Sequence, residues 1–359
     1  MKDSVRIGMI GAGHIAYSHA EAWRKEASLT AVASRRIESA RSLADRYGIP
    51  HVCRDVDELL NRSDVDAIGI TTPHHLHHPI ALAALKAGKS VFSEKPLALN
   101  GSQAREMWLA ARHCGAKTGM QSGLRLFPAL RFLSRLLRDG TAGRVHTFDA
   151  HWSFDWARQP DFPLTWRFRR AEAGTGALGD LGVYMIDAAR WLVGEISQVN
   201  AELALYVTHR PLLTAEDHFG ELRRKHREEE LDIPRETGQV ENDDVCQLML
   251  RFGNGARGSI RASRLHQEHT LRVDCERTSY FWQMEGGRGL MERASHDEYM
   301  PVSVPATSRD DSIVTTFLNN IHRDEDEAPT FRDGLAAQLV IDAAVESNDT
   351  GRWVEVERI

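Results

Sequence analysis

The residues Gly11-Ala12-Gly13-His14-Ile15-Ala16 restrict this chain more than any other feature, because they follow the apolar run Val5-Arg6-Ile7-Gly8-Met9-Ile10 and precede an amphipathic stretch. A strand that turns at once into a helix through G-x-G-x-x-A is the opening unit of a dinucleotide-binding fold. Gly11 permits the tight reversal, Gly13 lets the backbone approach a pyrophosphate, and Ala16 lets the helix lie close on the sheet. The phosphates then meet the helix N-terminus, where His14 and Ile15 are the first residues.

From Val5 to Gln121 short apolar runs alternate with amphipathic stretches: Leu29 to Ala33, Ala67 to Thr71, Ser90 to Ser93 and Lys117 to Gln121 each precede a helical pattern. Such alternation predicts an α/β domain with a parallel, doubly wound sheet. Around Ser122-Gly123 the character changes. Beyond one helix ending near Gly140, the runs Val145 to Phe154, Val199 to Val207, Val245 to Phe252 and Ala256 to Ala262 predict a largely antiparallel sheet, with Phe252-Gly253-Asn254-Gly255 as a hairpin turn. The expected division is 1–122 and 123–359, in keeping with 359 residues and the usual size of domains. Residues 209–238, with Arg223-Arg224-Lys225 and Glu228-Glu229-Glu230, read as a charged, solvated interruption or short helix, the alternative being an arm that covers substrate or a second subunit.

With 45 Lys+Arg against 51 Asp+Glu, a net charge of −6 and no long basic run, nucleic acid is not an expected partner. Cys53, Cys114, Cys246 and Cys275 are far apart and signal neither a zinc knuckle nor a disulfide framework. The first strand starts close to Met1 and no apolar run approaches the roughly 20 residues that cross a bilayer, so a cytoplasmic protein without a membrane span is expected.

The second strand ends Ala33-Ser34-Arg35-Arg36, with no acid until Glu38, whereas NAD sites usually place a carboxylate there for the ribose 2′-hydroxyl. Ser34, Arg35 and Arg36 suit a 2′-phosphate, so NADP(H) is preferred and NAD(H) is the second choice. The competing reading has Ser34 capping the next helix and both arginines in solvent. Thr71-Thr72-Pro73-His74-His75-Leu76-His77-His78 lies at the ligand-facing end of its strand. Thr71, Thr72, Pro73 and His74 then shape a loop at the nicotinamide ribose and His77 opens the helix. Four histidines without a neighbouring carboxylate or cysteine do not make a metal site, and none is expected. Ser90-Val91-Phe92-Ser93 closes on Glu94-Lys95-Pro96, which puts a lysine within reach of whatever lies against the nicotinamide.

Three patches together are similar to the Gfo/Idh/MocA family over nearly the whole chain. They are Gly11-Ala12-Gly13; Thr72-Pro73 with Ala87-Gly88-Lys89-Ser90-Val91-Phe92-Ser93-Glu94-Lys95-Pro96-Leu97-Ala98; and Gly174-Thr175-Gly176-Ala177-Leu178-Gly179-Asp180-Leu181-Gly182-Val183-Tyr184-Met185-Ile186-Asp187. The resemblance implies a Rossmann domain followed by an α/β domain on a large open sheet, whose free face commonly makes homo-oligomers, dimers or tetramers. Relatives usually carry histidine four residues after the aspartate of the third patch. Here that position is Tyr184, as in glucose-fructose oxidoreductase and dimeric dihydrodiol dehydrogenases, which points away from inositol dehydrogenase proper.

Spacing alone puts Asp180, Tyr184, Asp187 and Trp191 along one helical stripe, and leaves open whether Asp180 is merely an N-cap and Tyr184 a core phenol. The resemblance favours catalysis by Lys95, Asp180 and Tyr184, and places Arg125, Trp166 and Arg167 near the substrate pocket beside Asp180 and Tyr184. The expected chemistry is hydride transfer between nicotinamide and a carbinol carbon of a sugar, polyol or related carbonyl compound. Tyr184 handles the proton and Lys95 holds the oxygen, or the reverse, and Asp180 orients Lys95 or a substrate hydroxyl. A redox-assisted glycoside hydrolase and a noncatalytic NADP-binding regulator are the alternatives.

Overall fold

The computed structural model describes residues 4–212, 236–284, 289–293, 298–305, 313–327 and 329–359. The chain divides into two compact units, 1–121 with 311–335 and 122–310 with 336–359.

The first unit is a six-stranded parallel sheet in the order β3-β2-β1-β4-β5-β6. Its strands are β1 (Arg6–Ile10), β2 (Ser28–Ala33), β3 (His51–Cys53), β4 (Ala67–Ile70), β5 (Ser90–Ser93) and β6 (Thr118–Met120). Helices α1 (His14–Trp23), α2 (Ile37–Tyr47), α3 (Val56–Leu60), α4 (His77–Lys86) and α5 (Gly101–Cys114) connect them. This is the Rossmann order, and the connections reverse direction between β1 and β4, where a doubly wound sheet opens a crevice for its ligand. On α1 the residues Ala16, His19, Ala20 and Trp23 are buried, the i, i+3, i+4, i+7 spacing of one helix face.

Residues 311–335 correct the expected division at 122/123, which assigned them to the second domain. The reason is aromatic packing. Phe317, on the helix Ile313–Arg323, sits edge-on to Trp23 and Phe92 at ring-centroid distances of 5.8 and 5.6 Å, and Trp23 and Phe92 are themselves 5.3 Å apart. Further along, the Pro329 carbonyl accepts from the Met120 N–H at 3.1 Å, tying the returning segment to β6.

The second unit is built on a nine-stranded mixed sheet in the order β16-β15-β14-β13-β7-β12-β11-β8-β17. Its strands are β7 (Val145–Ser153), β8 (Ile196–Ala204), β11 (Val245–Phe252), β12 (Arg257–Ser263), β13 (Glu268–Cys275), β14 (Ser279–Gln283), β15 (Gly289–Arg293), β16 (Tyr299–Pro301) and β17 (Val354–Glu355). All pairings are antiparallel except β7 with β12. The hairpin expected at Phe252-Gly253-Asn254-Gly255 joins β11 to β12, with Gly255 at φ +92°. Phe148, Ala150 and Trp152 alternate with Thr147, Asp149 and His151 along β7, so one face of the sheet is buried and the other polar. Helices α6 (Pro128–Arg138), α7 (Arg170–Ala173) and α8 (Val183–Leu192) complete the unit.

The ends of the charged interruption are ordered rather than solvated loop. Strand β9 (His209–Pro211) pairs antiparallel with β10 (Thr237–Gln239), and Arg210 is fully buried. Its guanidinium donates to the carbonyls of Gln159, Phe162 and Ala157, and burial, with the charge of Arg264 nearby, lowers its pKa to about 10. Arg223-Arg224-Lys225 and Glu228-Glu229-Glu230 lie outside the described residues.

Replacing Phe317 by alanine is expected to cost the first unit about 3–5 kcal/mol through the cavity left between Trp23 and Phe92. Urea unfolding of wild type and variant followed by far-ultraviolet circular dichroism checks this.

Candidate active site

In the first unit the glycine turn is fixed by close contact. Gly11 has φ +102°, donates its N–H to the Ala33 carbonyl at 2.9 Å, and accepts from the Thr71 hydroxyl at 2.9 Å. A Cβ at Gly11 would lie 2.7 Å from the Thr71 carbonyl oxygen, so a side chain is excluded on two counts. Gly13 is the N-cap of α1, without a side-chain cap and with open space where a Cβ would be. Gly13, His14 and Ile15 are exposed, which leaves an open helix N-terminus at the crevice, and these residues fit a dinucleotide pyrophosphate.

At the end of β2, Arg35 and Arg36 are exposed and Ser34 half-buried. The N-cap of α2 is Arg36, with no side-chain cap, so Ser34 does not have the capping role weighed for it. Beyond β4, Thr71 is buried and Thr72 and Pro73 are half-buried at the start of the loop. His74 and His77 are buried. The His77 ring bridges two loops, its Nδ1 2.9 Å from the Pro96 carbonyl and its Nε2 3.0 Å from the Thr72 carbonyl. Burial pushes its pKa down, against the pull of those two carbonyls. His77, fully buried, therefore ties the Thr72 loop to the loop at Pro96. Among the described residues no group of three or more His, Cys, Asp or Glu is placed to hold a metal ion.

Glu94 is buried at the end of β5. It accepts a hydrogen bond from the Lys95 N–H at 3.1 Å, and its other oxygen lies 2.7 Å from His19 Nε2. Burial alone would raise the Glu94 carboxyl, but the His19 hydrogen bond and charge, with the Lys95 ammonium, outweigh it and hold the pKa below its ordinary 4.5. His19 was not among the expected site residues. Its signal was legible: a histidine on the buried face of α1 needs a polar partner, and Glu94 is that partner.

In the second unit the glycine-rich patch forms a π-helical segment, Leu178–Gly182, that runs into α8. Such segments often occur at functional sites. Its start is held from outside. Asp243 accepts from the N–H groups of Gly176 at 2.6 Å and Leu178 at 2.8 Å through its carboxylate, and from Ala177 at 2.9 Å through its carbonyl. Burial pushes the Asp243 carboxyl up, with these amides and Arg264 opposing.

One turn on, half-buried Tyr184 lies with its ring 5.9 Å from that of Trp152, and its Cε1 is 3.9 Å from where a Gly123 Cβ would stand. Asp187 then receives both arms of the Arg125 fork, at 2.8 and 2.6 Å, and the Ser122 hydroxyl. Arg125, expected at the pocket, is thus engaged in a largely buried ion pair that ties the 122–126 segment to α8. Asp180 belongs to the π segment that runs into α8. It lies 3.9 Å from Arg167, whose guanidinium covers the Trp166 ring at 4.4 Å. The second unit thereby brings Trp166, Arg167 and Asp180 together, and sets Tyr184 beside Trp152.

Against known proteins, a model of the oxidoreductase family with NAD-binding Rossmann fold, Gfo/Idh/MocA, matches residues 5–122, and the Gfo/Idh/MocA C-terminal domain matches 130–281. The levoglucosan dehydrogenase of Pseudarthrobacter phenanthrenivorans is 30% identical, over 99% of both chains. The chain belongs to the Gfo/Idh/MocA oxidoreductase family. It is an NAD(P)-dependent dehydrogenase or reductase acting on CH–OH groups. A solved structure of levoglucosan dehydrogenase with NADH and levoglucosan superimposes with a TM-score of 0.85 at 28% identity, covering 99% of this chain and 100% of that one. The inositol 2-dehydrogenase of Rhizobium meliloti is 25% identical over 98% of this chain and 99% of its own length.

Two outcomes follow for this Gfo/Idh/MocA oxidoreductase. Gly176→Ala puts a Cβ 1.9 Å from the Asp243 carbonyl oxygen and is expected to destabilise the second unit by about 3 kcal/mol or more, measured by denaturant unfolding. Because the folded Glu94 carboxyl titrates below its ordinary 4.5, its stabilisation is complete above that value and is lost as pH falls through the folded value. Glu94→Gln lacks this term, so the stability gap between wild type and variant narrows below pH 4.5 in urea titrations.

Proposed function

We propose that this oxidoreductase moves a hydride between nicotinamide and a carbinol or carbonyl carbon of a sugar or polyol, prefers NADP(H), and serves the reacting oxygen with Lys95 and Tyr184. The observation that carries the reading is the cluster on the second unit. A half-buried phenol lies against Trp152 on a helix fixed at its start, and the Trp166 ring, the Arg167 guanidinium and the Asp180 carboxylate adjoin one another. Aromatic faces and paired charged groups suit a ligand with apolar ring faces and many hydroxyls. The full-length likeness to a levoglucosan dehydrogenase makes anhydrosugars the first compounds to try. Relatives named as dehydrogenases favour net oxidoreduction over hydrolysis or regulation.

When bound, the nicotinamide supplies or accepts the hydride. The protein's part is to place the substrate and manage one proton. Tyr184 exchanges that proton with the substrate oxygen, Lys95 stabilises negative charge developing there, and Asp180 orients a hydroxyl with Arg167. Gly11, Gly13, His14 and Ile15 hold the pyrophosphate, and Thr71, Thr72, Pro73 and His74 shape the ribose loop that His77 braces. Arg35 and Arg36, exposed at the end of β2 beside Ser34 with no acid before Glu38, favour a 2′-phosphate. We further propose a cytoplasmic homo-oligomer, dimer or tetramer, formed through the polar face of the nine-stranded sheet, where Met249 is 58% exposed. No described helix is long and apolar enough to cross a membrane.

A screen of levoglucosan, inositols, other anhydrosugars and keto sugars with NADP and NAD tests the reading. Tyr184→Phe and Lys95→Ala are expected to lower kcat at least 100-fold while cofactor Kd changes less than threefold, and Arg35→Ala with Arg36→Ala to reverse the NADP preference. Oxidation releases a proton and is expected to quicken toward alkaline pH. Unchanged turnover in both catalytic variants sinks the assignment.

A further inference from the structure

Asn242-Asp243-Asp244 is a run of three buried polar residues on the segment that leads into β11, and none of them belongs to the cluster just described. Asn242 reaches the cluster directly, Asp243 through the start of its helix, and Asp244 through Arg264. Asp243 holds the N–H groups of Gly176, Ala177 and Leu178, where the helix that carries Asp180 and Tyr184 begins. Asn242 donates from Nδ2 to the Arg167 carbonyl at 3.0 Å, and its own carbonyl accepts from Arg264 Nη2 at 2.9 Å. Asp244 pairs with Arg264 Nε at 2.8 Å in a buried ion pair and accepts from the N–H groups of Tyr206 and Val207 at 2.9 and 2.8 Å. Arg264 also covers the Phe168 ring at 4.4 Å, directly beyond Arg167.

We infer that Asn242-Asp243-Asp244 is a positioning element that sets two arms of the substrate site separately: Asp243 the Tyr184 helix, and Asn242, held by the Asp244–Arg264 pair, the Trp166-Arg167 arm. The inference rests on the proposed roles of Tyr184 and Arg167. The chemistry makes the arms separable. Both carboxylate oxygens of Asp243 are used as acceptors, so Asp243→Asn keeps one acceptor and turns an NH2 group toward a backbone N–H, while the carbonyl bond to Ala177 survives. Gly176 has no room for a side chain because the Asp243 backbone occupies that space, so the helix start has one seating. Asn242→Ala removes the shorter of two donors to the Arg167 carbonyl, Arg264 Nη1 at 3.4 Å being the other, and leaves the helix cap intact. Misplacing a proton-transfer group lowers the chemical step, whereas misplacing a substrate-binding arm weakens binding.

The test uses the full-length enzyme with whichever of levoglucosan, myo-inositol or D-glucose gives the highest turnover, normalised to cofactor-binding sites counted by fluorescence titration. Asp243→Asn is expected to lower kcat at least tenfold with KM within threefold, and Asn242→Ala to raise KM at least fivefold with kcat within threefold. Cofactor Kd stays within twofold in both, since the nucleotide residues lie in the other unit. A fall in melting temperature with kcat and KM intact per folded molecule overturns the inference, as does an equal change of both constants in both variants. If Asp243→Asn does not fold, Asp243→Ser, which retains one acceptor, is read by the same criteria. Tyr184→Phe separates the two levels. Inactive Tyr184→Phe beside fully active Asp243→Asn refutes only the positioning role, while active Tyr184→Phe refutes the assignment beneath it.

Discussion

A carboxylate taken out of water must be met by donors, and Asp243 meets its own at the open end of a helix. A helix start leaves backbone N–H groups without partners, and in the second unit three successive ones converge on this single residue. Each need satisfies the other, and the bargain fixes geometry as well as energy. Gly176 can sit there only because it has no side chain, and the π segment that follows carries Asp180. Asp187 repeats the principle one turn later, where Arg125 and Ser122 supply donors to a carboxylate that is almost wholly enclosed. The phenol of Tyr184 stands between these two anchored points.

The first unit uses the same physics for a different end. Its crevice is formed by backbone that must come close, Gly11 to Thr71, and by a helix start whose N-cap, Gly13, supplies no side-chain cap. Buried polar side chains then hold the edges of the crevice: His77 spans the carbonyls of Thr72 and Pro96, and His19 fixes Glu94 next to Lys95. One helix start is therefore met by a buried carboxylate, while the other begins at an exposed glycine without a side-chain cap.

Much of this was legible in the sequence. The period of apolar runs, the glycine turn and Phe252-Gly253-Asn254-Gly255 are local signals, and they correctly indicated the parallel sheet, the β11–β12 hairpin and the change of architecture near residue 122. At the edge of the 209–238 stretch composition registers charge and not partners: Arg210 is buried, its charge met by three carbonyls of a loop about fifty residues earlier. Residues 311–335 misled for a related reason. Nothing local to Phe317 reveals that Trp23 and Phe92 leave an edge for it.

The sequence by itself determined the elements and the kinds of chemistry on hand, because strand period, turn residues and a βα glycine pattern act between neighbours in the chain. Only the tertiary structure decided what each polar side chain is for. Arg125, expected near the substrate pocket, closes an ion pair with Asp187, 62 residues away. Asp243 drew no notice and holds amides 65 and 67 residues away. A hydrogen bond's meaning lies in its partner, and when the two are brought together by folding, neither one's surroundings in the sequence contain the other.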